Sequence, residues 1–246
     1  MTSLKKGDKG TEVRELQIAL QSKGFDVGTV DGAFGTKTEV ALKEFQKQLG
    51  VTADGVLGSW VASKLLTKTS VGKIITITAG HNNKDPGAVN GKVTEANVVT
   101  DMRNIVAKKL RALGHTVRTD GEGGDNKTLS EAVKLINGSV IAIEFHLNAA
   151  ASKSAGGVEA LSASKHKKVS QDICLGISKV LGNKTRGNEG GWKPENSGQH
   201  SRLAFVSNGG IILETFFVSN DSELAKYNAN KDKVCDAIVE AIIKNI

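Results

Sequence analysis

Aromatic residues make up only 4% of the 246-residue sequence, and no long basic block or nucleic-acid-reading motif interrupts it. Without stacking side chains or a basic stripe, recognition of nucleic acid falls well behind other functions. No apolar run approaches the length needed to span a bilayer, so membrane insertion is not expected. The first residues, MTSLKKGDKG, contain no apolar signal region. The expectation is a chain made in the cytoplasm that reaches its target only after release. The two cysteines, Cys174 and Cys235, lie in apolar-periodic segments and read as reduced core residues. No HExxH helix is present, which removes the most compact sequence signature of a zinc hydrolase.

What is present suggests an ordered protein with an anionic partner. Apolar content is ordinary at 39%, charges of both signs are mixed, and Lys and Arg exceed Asp and Glu by 33 to 26. The resulting pI near 9.3 suits an anionic polymer.

A short signal recurs three times in residues 1–66: Gly7-Asp8-Lys9-Gly10-Thr11, Gly32-Ala33-Phe34-Gly35-Thr36 and Gly55-Val56-Leu57-Gly58-Ser59. Each copy precedes a helix-like stretch, and its terminal hydroxyl is expected to cap that helix. Val13, Leu16 and Leu20 share one face of the first, and Leu42, Phe45 and Leu49 one face of the second. A third, short helix near Trp60 to Leu66 completes a small three-helix domain with no catalytic pair, suited to binding. Residues 67–72 read as a polar linker.

From residue 73 onward strands alternate with helices. Strands are expected at 73–78, 115–119, 139–147, 157–163 and 209–215, with helices at 95–113, 129–136, 166–181 and 228–245. This pattern predicts an α/β domain over 73–246, a mostly parallel sheet covered by helices.

In such sheets ligands bind beyond the carboxyl ends of the strands. Here those ends carry His81, the pair Glu144 and His146, and Glu214, while Glu95 opens the long helix. Two imidazoles and a carboxylate, His81, Glu95 and His146, could bind Zn2+ and leave a position open. Glu214 could then move a proton. Spacing alone leaves the alternative that both histidines are hydrogen-bonded strand-end residues.

The segments "GDKGTEVRELQIAL", "VDGAFGTKTEVALKEFQ" and "ADGVLG" resemble the peptidoglycan-binding domain type 1, with Trp60-Val61 as a departure in the third repeat. "ITAGHNNKDPGAVN", "TEANVVTDM", "IEFHLNA" and "IILETFFVSN" resemble, in order, the four signature segments of zinc-dependent N-acetylmuramoyl-L-alanine amidases of the type-3 family. The resemblance implies His81, Glu95 and His146 as zinc ligands, Glu214 as catalytic acid/base, and bacterial peptidoglycan as partner. The implied reaction is cleavage between N-acetylmuramic acid and L-alanine, most simply in a phage endolysin. A host autolysin or sporulation amidase, or an inactive wall-binding protein, is the alternative.

Two departures stand out. Relatives often carry a small polar residue where Glu144 stands, and Thr-Arg where this chain has Arg118-Thr119-Asp120. Glu144 is expected to orient His146 or contact substrate. The glycine- and asparagine-rich loop from Arg186 to Gly198 could wall a cleft, with Trp192 against sugar or peptide and His200 close by. His115 and His166 are expected at structural or solvated positions, and Asn148 and Asn220 in turns.

Overall fold

The computed structural model describes residues 3–65, 72–81, 84–187, 189–195 and 203–246. The chain divides into two compact units, Met1–Ser70 and Val71–Ile246. His200, the side chain of Trp60 and nearly all of the expected linker lie outside the described residues.

The first unit contains α1 (Thr11–Ser22), α2 (Thr36–Gln48) and α3 (Ser59–Leu65). Its core gathers Val13, Leu16, Leu20, Leu42 and Phe45 from the predicted helix faces. Capping differs from expectation. Gly10 and Gly35 are the N-caps of α1 and α2, with no side-chain cap, so Thr11 and Thr36 fall one residue inside their helices.

The turns are held by two buried glutamines instead. Gln17 Nε2 donates to Asp31 Oδ1 at 3.0 Å and to the Ala33 carbonyl at 3.0 Å, while its Oε1 accepts from Gly32 N at 2.8 Å. Gln46 repeats the arrangement with Asp54 Oδ1 at 2.7 Å, the Val56 carbonyl at 3.1 Å and Gly55 N at 2.9 Å. Gly32 and Gly55 have φ of 77° and 76°, the left-handed region that glycine enters without a Cβ clash.

The second unit runs β1 (Ile74–Ala79), β2 (Val89–Asn90), β3 (Val93–Thr94), α4 (Glu95–Ala112), β4 (Thr116–Arg118), α5 (Leu129–Lys134) and β5 (Ile141–Asn148). It continues with β6 (Glu159–Ser162), α6 (Lys167–Leu181), β7 (Trp192–Pro194), α7 (Ala204–Ser207), β8 (Ile211–Phe217) and α8 (Asp221–Asn245). Six strands form one sheet in the order β4-β1-β5-β8-β6-β7, and β2 and β3 form a separate hairpin. The first four strands in that order are mutually parallel. The β6–β7 pair runs antiparallel to β8, so the sheet is mostly parallel.

Four short elements were not anticipated: β2, β3, β7 and α7. Each has two to four residues, too few to establish a periodicity. The last helix starts at Asp221 rather than near 228, because Asn220 Oδ1 accepts from Ser222 N and Glu223 N and caps it.

Side chains alternate along each strand, and the two faces of the sheet differ. Ile141, Ile143, Phe145, Ile211 and Leu213 face the main core with α4, α6 and α8. Ala142, Leu161 and Ile212 face a smaller cluster with Ala132 of α5 and Phe205 of α7. Glu144, His146 and Glu214 share the parity of this thinly covered face. From β1 the chain passes through α4 to β4 on one side, and through α5 on the opposite face to β5 on the other. That reversal opens a crevice at the carboxyl ends of β1 and β5.

Candidate active site

His81 follows β1, Glu95 opens α4, and His146 stands near the end of β5. One ligand atom from each lies within 4.8 Å of the others. Thr94 caps α4 by accepting from Asn97 N, which fixes the first turn and Glu95 with it. Glu95 is shared between the imidazoles: Oε2 lies 3.1 Å from His81 Nε2, and Oε1 lies 3.1 Å from His146 Nδ1. Backbone amides of Ala88 and Leu147 also donate to it, at 3.0 and 2.9 Å.

Each imidazole turns its second nitrogen to a separate carboxylate. His81 Nδ1 is 3.0 Å from Asp85 Oδ2, and His146 Nε2 is 3.2 Å from Glu144 Oε2. Sequence reasoning missed Asp85; its spacing of four from His81 was the available signal.

This donor set fits a zinc-type cation. Two nitrogens converge on one carboxylate, and each ring is oriented from behind by another, as is usual for metal-binding histidines. The backbone leaves room for the rings: a Cβ on Gly80 would lie 2.2 Å from the His146 ring, and one on Gly87 would lie 2.7 Å from His81 Nε2 and Glu95 Oε2.

The metal-free electrostatics are consistent with this. Hydrogen bonding to Glu95 raises the His81 pKa against the effect of burial. For His146, burial favours the neutral ring, but Glu144 and Glu95 outweigh it and push the value up to about 10. Burial alone would raise Glu95; the two histidines overcome it and hold the carboxyl well below its usual range. Positive charge is therefore favoured between these groups.

Glu214 pairs in register with His146 across β5 and β8. It is 9% exposed, and its Oε2 is buried without a hydrogen-bond partner among the described residues. Burial pushes its pKa up to about 7 against the pull of His146. It lines a cleft of about 360 Å³ together with His81, Glu144 and His146 and the apolar side chains of Leu129, Leu203, Phe205 and Ile212. Such a carboxyl is poised to gain or lose a proton near neutrality.

Trp192 is not among the described residues that line that cleft, and residues 188 and 196–198 of the loop expected to wall it lie outside the described residues. Trp192 starts the edge strand β7, its indole Nε1 donates to Ser162 Oγ at 3.1 Å, and Lys167 Nζ sits 4.5 Å from its ring centre. The hydrogen bond and the cation turn it toward the sheet edge. His115 is buried and its Nδ1 accepts from Lys73 N; His166 meets the Gly209 carbonyl rather than only solvent. Asn148 donates to Glu159 Oε1 at 2.8 Å. Cys174 and Cys235 are free and buried.

The fold and donor set define an α/β domain with a candidate metal centre in a sheet crevice. Residues 75–244 match the family model described as N-acetylmuramoyl-L-alanine amidase, and residues 9–65 match the one described as "Putative peptidoglycan binding domain". The chain belongs to the N-acetylmuramoyl-L-alanine amidase family.

Among solved structures, it is similar to the "putative N-acetylmuramoyl-L-alanine amidase" from Neisseria meningitidis. Identity is 54% and the TM-score 0.65, over 70% of this chain and 95% of that one. A germination-specific N-acetylmuramoyl-L-alanine amidase of Bacillus subtilis is 29% identical over 194 residues, covering 70% of this chain and 79% of the relative. The N-acetylmuramoyl-L-alanine amidase CwlM of Mycobacterium tuberculosis is 27% identical over 166 residues, covering 56% of this chain. The chain spans only 40% of that relative's length.

Proposed function

We propose that the chain hydrolyses the amide between N-acetylmuramic acid and the first L-alanine of the peptidoglycan stem peptide, with Zn2+ held by His81, Glu95 and His146. The carrying observation is the convergence of these three side chains at one cleft with Glu214, whose Oε2 has no hydrogen-bond partner among the described residues. Family membership supports the choice of bond.

A zinc ion bound there supplies Lewis acidity, polarising a carbonyl and making water a better nucleophile at neutral pH. The rest of the chemistry belongs to the chain. Glu214, ionised, accepts the proton of the attacking water and then donates it to the departing alanine nitrogen. Its burial raises its pKa above the usual carboxylate value, toward the pH at which both steps must run. Glu144 and Asp85 hold the imidazoles by their far nitrogens, so that the near nitrogens keep their lone pairs toward the ion. Leu129, Leu203 and Phe205 give the cleft an apolar part against which a substrate can pack.

Residues 1–66 form the wall-binding module and residues 73–246 the catalytic one, joined by the linker 67–72. Binding through the first raises the concentration of substrate at the second. The chain acts on the wall, as a phage endolysin after cytoplasmic synthesis and release. The B. subtilis relative favours a second setting, a host amidase of sporulation or germination.

Digestion of purified peptidoglycan tests the reaction. The expected products are new L-alanine amino termini with no new reducing sugars, and a strong chelator should abolish them. New reducing ends, or full activity in a protein free of zinc by elemental analysis, would overturn the proposal.

A further inference from the structure

His81 is the one non-glycine residue with positive φ among the described residues, at 67°. A backbone in that region persists only where its surroundings over-determine it. The surroundings here are specific. Asn126 Nδ2 faces three successive carbonyls at the exit of β1: Ala79 at 3.2 Å, Gly80 at 3.5 Å and His81 at 2.9 Å. The amide of Ala79 donates to both oxygens of Asp120, at 3.3 and 3.2 Å.

Arg103 ties these two residues together. Its Nη1 donates to Asp120 Oδ1 and to Asn126 Oδ1, both at 3.1 Å. Because Asn126 Oδ1 accepts from the guanidinium, its amide nitrogen must point at the carbonyls. Arg103 is fully buried, Asp120 1% exposed and Asn126 6%. The fold alone does not call for such a group, since well-packed apolar residues commonly replace a buried ion pair without loss of stability. Arg103 also lies on α4, the helix that presents Glu95 from its first turn. One helix thus carries a carboxylate that faces His81 and the guanidinium that braces the backbone of His81.

We infer that Arg103, Asp120 and Asn126 are positioning residues: they hold His81 in its left-handed backbone conformation and so set its imidazole against Glu95 for metal binding. This rests on the reading of His81 as a metal ligand. It also gives a role to the buried carboxylate of Asp120.

The test is zinc affinity of the full chain, stripped of metal and titrated with Zn2+ against a chromophoric chelator, with the visible spectrum of the Co2+-loaded protein alongside. Asn126→Ala is expected to weaken zinc binding about 10–100-fold, the usual consequence of losing a group that orients a metal ligand, and to alter the Co2+ spectrum. Asn126→Ser keeps one donor and should fall between; it carries the test if the alanine variant does not fold. Ile238→Val, in the core on α8, controls for general loosening. It should lower Tm while leaving zinc affinity within about twofold, well inside the 10–100-fold expected for a positioning residue. If the Asn126 variants lose Tm but keep the parent's zinc affinity and Co2+ spectrum, the network is merely structural and the inference fails. If the parent itself takes up no zinc, the metal-centre reading fails and takes this inference with it.

Discussion

The glutamine clamps of the helical unit and Glu214 of the α/β unit are buried polar side chains used in opposite ways. In the helical unit, Gln17 and Gln46 are buried, and amide donors and acceptors alike are taken up by turns of the unit's own backbone and the aspartates in them. In the α/β unit, Glu214 is buried with an oxygen that has no partner among the described residues. A satisfied buried polar group specifies a fold, whereas an unsatisfied one costs about 1–3 kcal/mol and calls for an explanation. Asn183 Oδ1 and Tyr227 Oη are also unpartnered, but neither residue lines the cleft. Glu214 combines the missing partner with a place in the lining of the crevice.

The largest expected effect comes from removing an imidazole. His146→Ala should abolish zinc binding and reduce turnover to background, because the remaining donors, His81 and Glu95, no longer form a three-ligand set. Elemental analysis and amidase turnover measured together check it. A zinc-loaded, active His146→Ala protein would remove the α/β side of the comparison altogether.

Next in size is Glu214→Gln, which keeps the shape of the side chain and removes its basicity. Zinc and wall binding should persist while turnover falls by about 10²–10⁴, the range general acid–base catalysis supplies. The pH profile sharpens this. The carboxyl is pushed up to about 7 in the metal-free chain, and a cation nearby would lower that value. The base works ionised, so the parent's kcat/KM should fall as the pH drops through a value at or below about 7. The glutamine variant should lack that limb; an identical limb in both proteins would assign it to another group.

Glu144→Gln and Asp85→Asn should cost less, about 10–100-fold in zinc affinity or turnover each, since they act through the imidazoles they face. Zinc content and turnover of Glu144→Gln, measured beside Glu214→Gln, decide between the two acids. If Glu144→Gln is inactive yet zinc-loaded while Glu214→Gln works, proton transfer belongs to Glu144.

Much of this arrangement was legible in the sequence because strand ends are. An apolar β-branched run that stops at a polar residue marks both an element and its functional end, as "IAIEFHLN" does for Glu144 and His146. The alternation that puts those two on one face, and the position of Glu95 at a helix start, follow from local geometry. What could not be read depends on contacts between distant segments. Asn126 meets His81 across 45 positions of the chain, and Asp85 gains meaning only once β1 bends. The edge pairing between Ala160 and Trp192 is another such contact, which loop composition does not reveal. The helix caps were misjudged for a related reason: the hydroxyl follows the glycine, and the glycine itself takes the N-cap position.

The smallest expected effect on catalysis comes from the helical unit, and it tests the other half of the comparison. Gln17→Ala removes a donor and an acceptor that hold the Asp31-Gly32 turn, and Gln46→Ala does the same at Asp54-Gly55. Each should destabilise that unit by about 1–3 kcal/mol, because the turn's backbone amide and carbonyl are left unpaired away from water. The two losses should be similar, since the two clamps share one design, although Gln17 also reaches Thr38 Oγ1 at 3.2 Å and should be slightly the costlier to remove. Turnover of soluble muropeptides by the full chain should stay within about twofold of the parent, because both glutamines belong to the other compact unit and neither lines the cleft. Binding to intact walls should weaken as the unit loosens. Thermal unfolding, soluble-substrate turnover and wall sedimentation on the same two variants give the answer. If Gln17→Ala lowers soluble turnover as far as Glu144→Gln does, the helical unit contributes to the chemistry, and its fully satisfied polar groups are no guide to the absence of a catalytic role.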